Sequence, residues 1–265
     1  YFQAEDGIRD NGAGLVGSEM CIRDRAMREP ENKAAILAEE SLPADPNNIF
    51  DGMSDMIAVM LHRLYAIGDP PDYEPTPDRS VQAIAEARGV PGIEAAYDLF
   101  AEGDGTNMLM MPIFNYVDGN HDVIREMITH PYCVSGLSDG GAHCGMICDA
   151  SIPTFLLTHW ARDRSRGEKI ELEWIVKKQS KDTAELFGLT DRGTLEVGKK
   201  ADLNVIDFEN LKLRSIKLVN DLPAGGRRLL QKAEGYDYTI VSGEITRKGG
   251  EDTGARPGRL VRGAR

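Results

Sequence analysis

The chain has 265 residues, long enough for one α/β barrel or two smaller domains. Its 41% hydrophobic and 28% charged content is that of an ordinary globular protein, and a net charge of −12 argues against a general binder of nucleic acid or anionic membrane. Locally, Arg256, Arg259, Arg262 and Arg265 cluster near the end, which we read as a solvated terminal segment rather than a phosphate patch. No run approaches the roughly 18 apolar residues of a membrane helix, and with no signal peptide visible the cytoplasm is the default location. Cys21, Cys133, Cys144 and Cys148 form no CxxC pair and no disulfide-dense pattern, as expected of reduced thiols.

In chain order, residues 1–25 obey neither helical nor strand periodicity. Ala-Glu-Asp-Gly-Ile-Arg-Asp and Cys-Ile-Arg-Asp-Arg resemble translated sequencing-adapter read-through at the ends of metagenomic gene predictions, so this stretch is excluded from fold reasoning and the natural protein is expected to begin upstream. Residues 27–40 predict a helix with Pro30 in its first turn. A turn at 43–48 precedes an apolar, Met-rich stretch at 53–65, in which His62 reads as a packed or surface histidine rather than a ligand. A proline-rich loop spans 68–78. Helices are predicted over 79–88, capped by Asp78, and over about 91–102, ending at Gly103.

The nearly unbroken apolar run at 107–116 predicts a strand buried on both faces of a parallel sheet. Helix 121–130, a strand at 132–137 and a helix near 152–164 follow, which is the order βαβα and the minimal right-handed crossover. A long helix at 171–187 carries an apolar face through Leu172, Ile175, Val176, Ala184 and Phe187, and Gly188 closes it. Beyond it, residues 193–207 read as two short strands around a glycine turn, and 238–247 as a hairpin turning at Ser242-Gly243. These patterns predict an α/β domain over 26–188 and a small β domain over 189–265.

Chemistry concentrates after the 132–137 segment, in Ser138-Asp-Gly-Gly-Ala-His143. A carboxylate at the carboxyl end of a strand is placed to ligate a divalent metal or to take a proton from metal-bound water. The other role open to Asp139 is to cap its own turn. His143 is a candidate to contact substrate or to orient Asp139, with ordering of the loop as the alternative. Asn115, at the end of the preceding strand, is a candidate substrate contact on the same rim, whereas Tyr116 reads as an ordinary rim aromatic. The glycines at 140–145 match neither a P-loop nor the dinucleotide fingerprint. His121, His130, His143 and His159 lie 9, 13 and 16 residues apart, with no HxH and no HExxH, so no local pair grips a zinc ion.

Ser138-Asp-Gly-Gly-Ala-His143, Thr158-His-Trp-Ala-Arg162, the segment Gly193-Thr-Leu-Glu-Val-Gly-Lys-Lys-Ala-Asp-Leu-Asn-Val-Ile-Asp207 and the ending Gly254-Ala-Arg-Pro-Gly-Arg-Leu-Val-Arg262 together resemble the C-terminal part of the amidohydrolase superfamily. More narrowly, they look like its N-acyl-D-amino-acid deacylase (D-aminoacylase) branch. The resemblance implies strands seven and eight of a metal-dependent (β/α)8 barrel, followed by a small β-sandwich-type domain. It implies Asp139 as catalytic base at the end of strand eight, zinc as cofactor, and a small N-acyl amino acid as substrate.

The superfamily's HxH and later ligand histidines have no counterpart in the sequence. The resemblance therefore implies a C-terminal fragment that holds the base without the electrophile, with no appreciable turnover and no tight stoichiometric zinc expected of it. Cyclic-amide hydrolysis is an alternative chemistry, and a non-catalytic module binding a small anion at the 139–145 loop is an alternative class.

Overall fold

The structure, a computed structural model, describes residues 25–39, 58–102, 107–137, 139–141 and 143–261. Residues 1–24 of the expected read-through at 1–25, the turn at 43–48, Gly103, Ser138 and Ala142 lie outside the described residues. The chain divides into two compact units, one of residues up to Gly68 together with Asp72–Asn120, the other of Asp69–Pro71 together with His121–Arg265. Among the described residues no helix is long and apolar enough to cross a membrane.

In the first unit, α1 spans Pro30–Ala38 with proline at its start, where a missing N–H is harmless. The helix α2 (Val81–Arg88) is capped by Ser80 rather than Asp78: the Ser80 hydroxyl accepts from the Ala83 N–H at 3.2 Å. Its neighbour α3 (Gly92–Ala101) buries Ala95, Ala96, Tyr97 and Leu99. These faces close over Leu61, Leu64, Val81 and Ala85 to make the unit's core. Glu74 is buried here at 4% exposure.

The apolar run at 107–116 does not become a strand of a parallel sheet. Only β2 (Leu109–Met110) is a strand, and it pairs antiparallel with β1 (Tyr65–Ala66). Ile113 and Phe114 are exposed, whereas Tyr116 is buried, edge-on to Tyr65 at 6.2 Å. Tyr116 is thus a core residue and not a rim aromatic. Apolarity favoured an extended chain, but which strand it meets decides direction and face.

The second unit begins with α4 (Asp122–Thr129). The predicted strand eight is corrected: 133–137 has no regular secondary structure, is mostly exposed and belongs to no sheet. A β-prone run is a strand only when a neighbour accepts and donates its ladder hydrogen bonds. Every strand pair among the described residues is antiparallel, so the expected parallel βαβ crossover is not formed there.

The predicted 152–164 helix is α5 (Ile152–Phe155) running into a π-helical segment, Leu156–Asp163. The wider winding shows in the Arg164 N–H, which donates to the His159 carbonyl five residues back at 2.8 Å. The 171–187 helix is likewise α6 (Leu172–Lys177), a π-helical stretch Lys178–Asp182, and α7 (Thr183–Leu186). Leu156, Leu157, Trp160, Ile170, Ile175 and Leu211 form the core of this unit.

Arg164 is tied into that core. Its side chain is fully buried, lies over the Trp160 ring at 4.8 Å, donates to the Glu168 carbonyl at 2.9 Å and pairs with Asp122 at 2.7 Å. Asp122 itself is 65% exposed in its side chain. The pair is therefore asymmetric: removing the carboxylate strands a buried guanidinium, while removing the arginine leaves a carboxylate that water can serve. Asp122→Ala is expected to cost about 2 kcal/mol, below the range for fully buried pairs because water reaches one partner. Arg164→Met, which keeps the apolar stem over Trp160, is expected to cost less. Urea unfolding of both variants checks this, and the reverse order would refute the asymmetry.

The strand-rich end holds a four-stranded antiparallel sheet in the order β10-β9-β8-β3, built from β3 (Leu203–Ile206), β8 (Tyr236–Val241), β9 (Glu244–Lys248) and β10 (Glu251–Asp252). The hairpin at 238–247 turns at Ser242-Gly243, with φ of 51° and 83°, the left-handed pair that a two-residue hairpin turn requires. Two further ladders pair β4 (Lys212–Leu213) with β7 (Ala233–Glu234), and β5 (Lys217–Leu222) with β6 (Gly226–Leu230). Of the two strands expected in 193–207, only β3 forms. The arginine-rich end is not wholly free in solvent: Arg256 pairs with Asp252 at 2.7 Å, and with the Gly254 N–H this holds the Asp252 carboxyl down at about 2.

Candidate functional site

In the segment singled out for chemistry, the described residues 139–141 lie in turns. The Gly140 N–H donates to the Leu137 carbonyl at 3.1 Å, and the His143 carbonyl accepts from Met146 at 2.7 Å and Ile147 at 3.0 Å. Gly141 and His143 both have positive φ, 99° and 42°. For histidine that conformation is uncommon, and such strain concentrates at functional sites. A longer-range bond ties the loop down, the Leu229 N–H of β6 donating to the Cys144 carbonyl at 2.7 Å. Asp139 and His143 are both exposed on these turns. Asn115, also at positive φ (59°) and exposed, belongs to the first unit.

A second group was not legible from linear spacing. His121 sits just before α4 and is buried, and His159 lies in the π-helical segment, half buried. Their rings are 5.6 Å apart at 75°, and each offers a ring nitrogen within 4.8 Å of the other's. Phe155 stacks on His159 at 4.6 Å and 10°, and Trp160 stacks on His121 at 5.9 Å and 29°. The 152–164 helix turns His159, Trp160 and Phe155 toward the start of α4. His130, by contrast, is exposed, and its carbonyl takes the Lys178 ammonium at 3.1 Å.

Compared with known protein families, residues 58–247 match the description "Amidohydrolase family", which is well over half of the chain. The chain belongs to the amidohydrolase family. Comparison with curated proteins gave no match, and comparison with solved structures gave none either.

Members of the amidohydrolase family are metal-dependent hydrolases of carbon–nitrogen bonds acting on small molecules, and this chain is assigned to that class. The matched region spans Asn115, Asp139, His143 and the histidine pair. The residues around Asp139 do not by themselves make a metal site. Among the described residues, Asp139 falls in no group of three histidine, cysteine or carboxylate side chains close enough to share an ion. A zinc ion needs three or four protein ligands, so no chemical step is routed through a metal at Asp139 here.

Proposed function

We propose that this amidohydrolase acts on N-acyl amino acids of the D series, with Asp139 as general base. One observation carries the reading: the family match runs through the Asp139 turn, the part of the chain that carries the D-aminoacylase resemblance. The exposure of Asp139 and His143 supports it, because both side chains are open to an incoming substrate. In this reading the Asp139 carboxylate accepts a proton from the attacking water as the water oxygen bonds to the amide carbon. It then delivers that proton to the departing nitrogen, leaving a carboxylate and a free amino acid. His143 contacts the substrate, the boundary near residue 188 separates the site-bearing region from the small β domain, and zinc is the metal the family resemblance implies.

Free-amine release from N-acyl-D- and N-acyl-L-amino acids, in the presence of zinc, tests the assignment. Any hydrolysis the chain supports is expected to favour the D series and to fall about 10²–10⁴-fold in kcat in Asp139→Asn, which keeps the shape but cannot take a proton. Hydrolysis indifferent to Asp139→Asn would sink the general-base role. A preference for ring-opening of cyclic amides would instead favour that alternative within the family.

A further inference from the structure

We propose that Arg228, on β6, receives the α-carboxylate of the substrate and so selects N-acyl amino acids over other amides. The inference rests on the N-acyl amino acid reading above, because such a substrate brings a carboxylate to the site. That carboxylate lies two covalent bonds from the scissile nitrogen. The group that takes it must therefore stand beside the loop that bears the base.

The backbone puts Arg228 there. The Leu229 N–H leaves the outer edge of β6 and donates to the Cys144 carbonyl at 2.7 Å, which sets β6 against the chain just after His143. Consecutive Cα atoms are about 3.8 Å apart, so the Arg228 side chain starts one such step from that contact. Its guanidinium is held above the ordinary arginine range by the hydrogen bonds to Asp221 and then by that carboxylate's charge, and Cys144 acts in the same direction. The Cys144 side chain is thus within electrostatic reach of the guanidinium.

The guanidinium is also aimed. Asp221, across the hairpin on β5, accepts from Nε at 2.8 Å and from Nη2 at 2.7 Å, a side-on fork that fixes the plane of the group. This contact uses two of the five N–H donors. Among the described residues no other bond takes the Nη1 end, which offers a second carboxylate the same two-point geometry. The side chain is 39% exposed, so a ligand can reach it. Arg227 is exposed, and strand alternation sends it to the other face of β6. Fixing the carboxylate and the amide together leaves the hand of the Cα to decide where the amino-acid side chain goes, which is how a site tells D from L. The bland alternative is a surface ion pair that only stiffens the hairpin.

Ligand-detected NMR titration with N-acetyl-D-alanine and with N-ethylacetamide, the same skeleton without the carboxylate, decides between them. The parent chain is expected to bind N-acetyl-D-alanine at least about tenfold more tightly, the scale of one charge-assisted contact. Arg228→Gln is expected to remove that difference and to leave N-ethylacetamide binding unchanged. Arg228→Lys, which keeps the charge without the fork, is expected to restore part of it. Arg227→Gln removes the same charge from the other face and is expected to bind as the parent does. Circular dichroism establishes that the variants fold. The proposal is overturned if the parent binds the two ligands alike or binds neither, if folded Arg228→Gln keeps the difference, or if Arg227→Gln loses as much. Failure of the general-base reading is distinguishable: there the titration behaves as expected, while hydrolysis is indifferent to Asp139→Asn. Hydrolysis of N-acetyl-D-alanine that needs Asp139 but has the same KM in Arg228→Gln would sink this proposal alone.

Discussion

Truncating Trp160 to alanine is expected to lower the unfolding free energy by about 3–5 kcal/mol, the usual range for a buried large aromatic. At 1% exposure, Trp160 is among the largest fully buried side chains of the protein. It packs against three neighbours: the His121 ring stacked at 5.9 Å, the His159 ring edge-on at 5.3 Å, and the Arg164 guanidinium at 4.8 Å. Removing the indole leaves a cavity and also exposes one face of a buried cation, so neighbouring side chains cannot simply collapse inward. A domain stabilised by roughly 5–15 kcal/mol would lose a large fraction of its margin. Chemical denaturation is the measurement. A loss under about 1 kcal/mol would mean that this core does not depend on the indole.

Gly235→Ala is expected to cost about 3 kcal/mol, through two effects that act on the same residue. Gly235 has φ of +99°, a conformation that an L side chain adopts only with strain of order 1–3 kcal/mol. A methyl placed there would meet the Leu211 Cα at 2.6 Å and its nitrogen at 2.9 Å. These are backbone atoms and cannot swing aside. Leu211 is fully buried, and its carbonyl accepts from Arg162 at 2.7 Å. Movement of the 208–211 turn would therefore pull Leu211 from the core that Trp160 also fills, adding an overpacking cost of roughly 1–3 kcal/mol. Thermal melts of Gly235→Ala beside Gly198→Ala separate the causes. Gly198 shares the positive φ, 92°, but has open space around it, so its variant reports strain alone. Equal losses at the two sites would rule out the steric part.

What sequence reading made legible was mostly local. The helices at 27–40, 79–88, 91–102 and 121–130 appear close to their expected spans because apolar periodicity, prolines and caps act within a turn or two. Choosing Asp78 over Ser80 as cap missed by two residues, since both types cap and only the chain path selects between them. The Ser242-Gly243 turn was readable because its left-handed geometry admits few residue types.

The strands at 107–116 and 132–137 were not, because an apolar run carries no record of its partner. The same limit applied to the sites. His121 with His159, and Asp122 with Arg164, are meetings of distant positions, at the start of α4 and in or just after the π-helical segment. Nothing in either local stretch announces the other. A buried-facing histidine on an amphipathic helix was the available signal, and it was readable only as a single residue.

The bond from Leu229 to the Cys144 carbonyl has a consequence for motion. The loop bearing Asp139 is connected by chain to the irregular 133–137 segment, but it is latched to β6, whose other side is zipped to β5. Opening the latch exposes a backbone donor and an acceptor together, so breathing of the loop is coupled to fraying of a hairpin some eighty residues further along the chain. The β5–β6 ladder thereby acts as a tether that limits how far the Asp139 turn can travel.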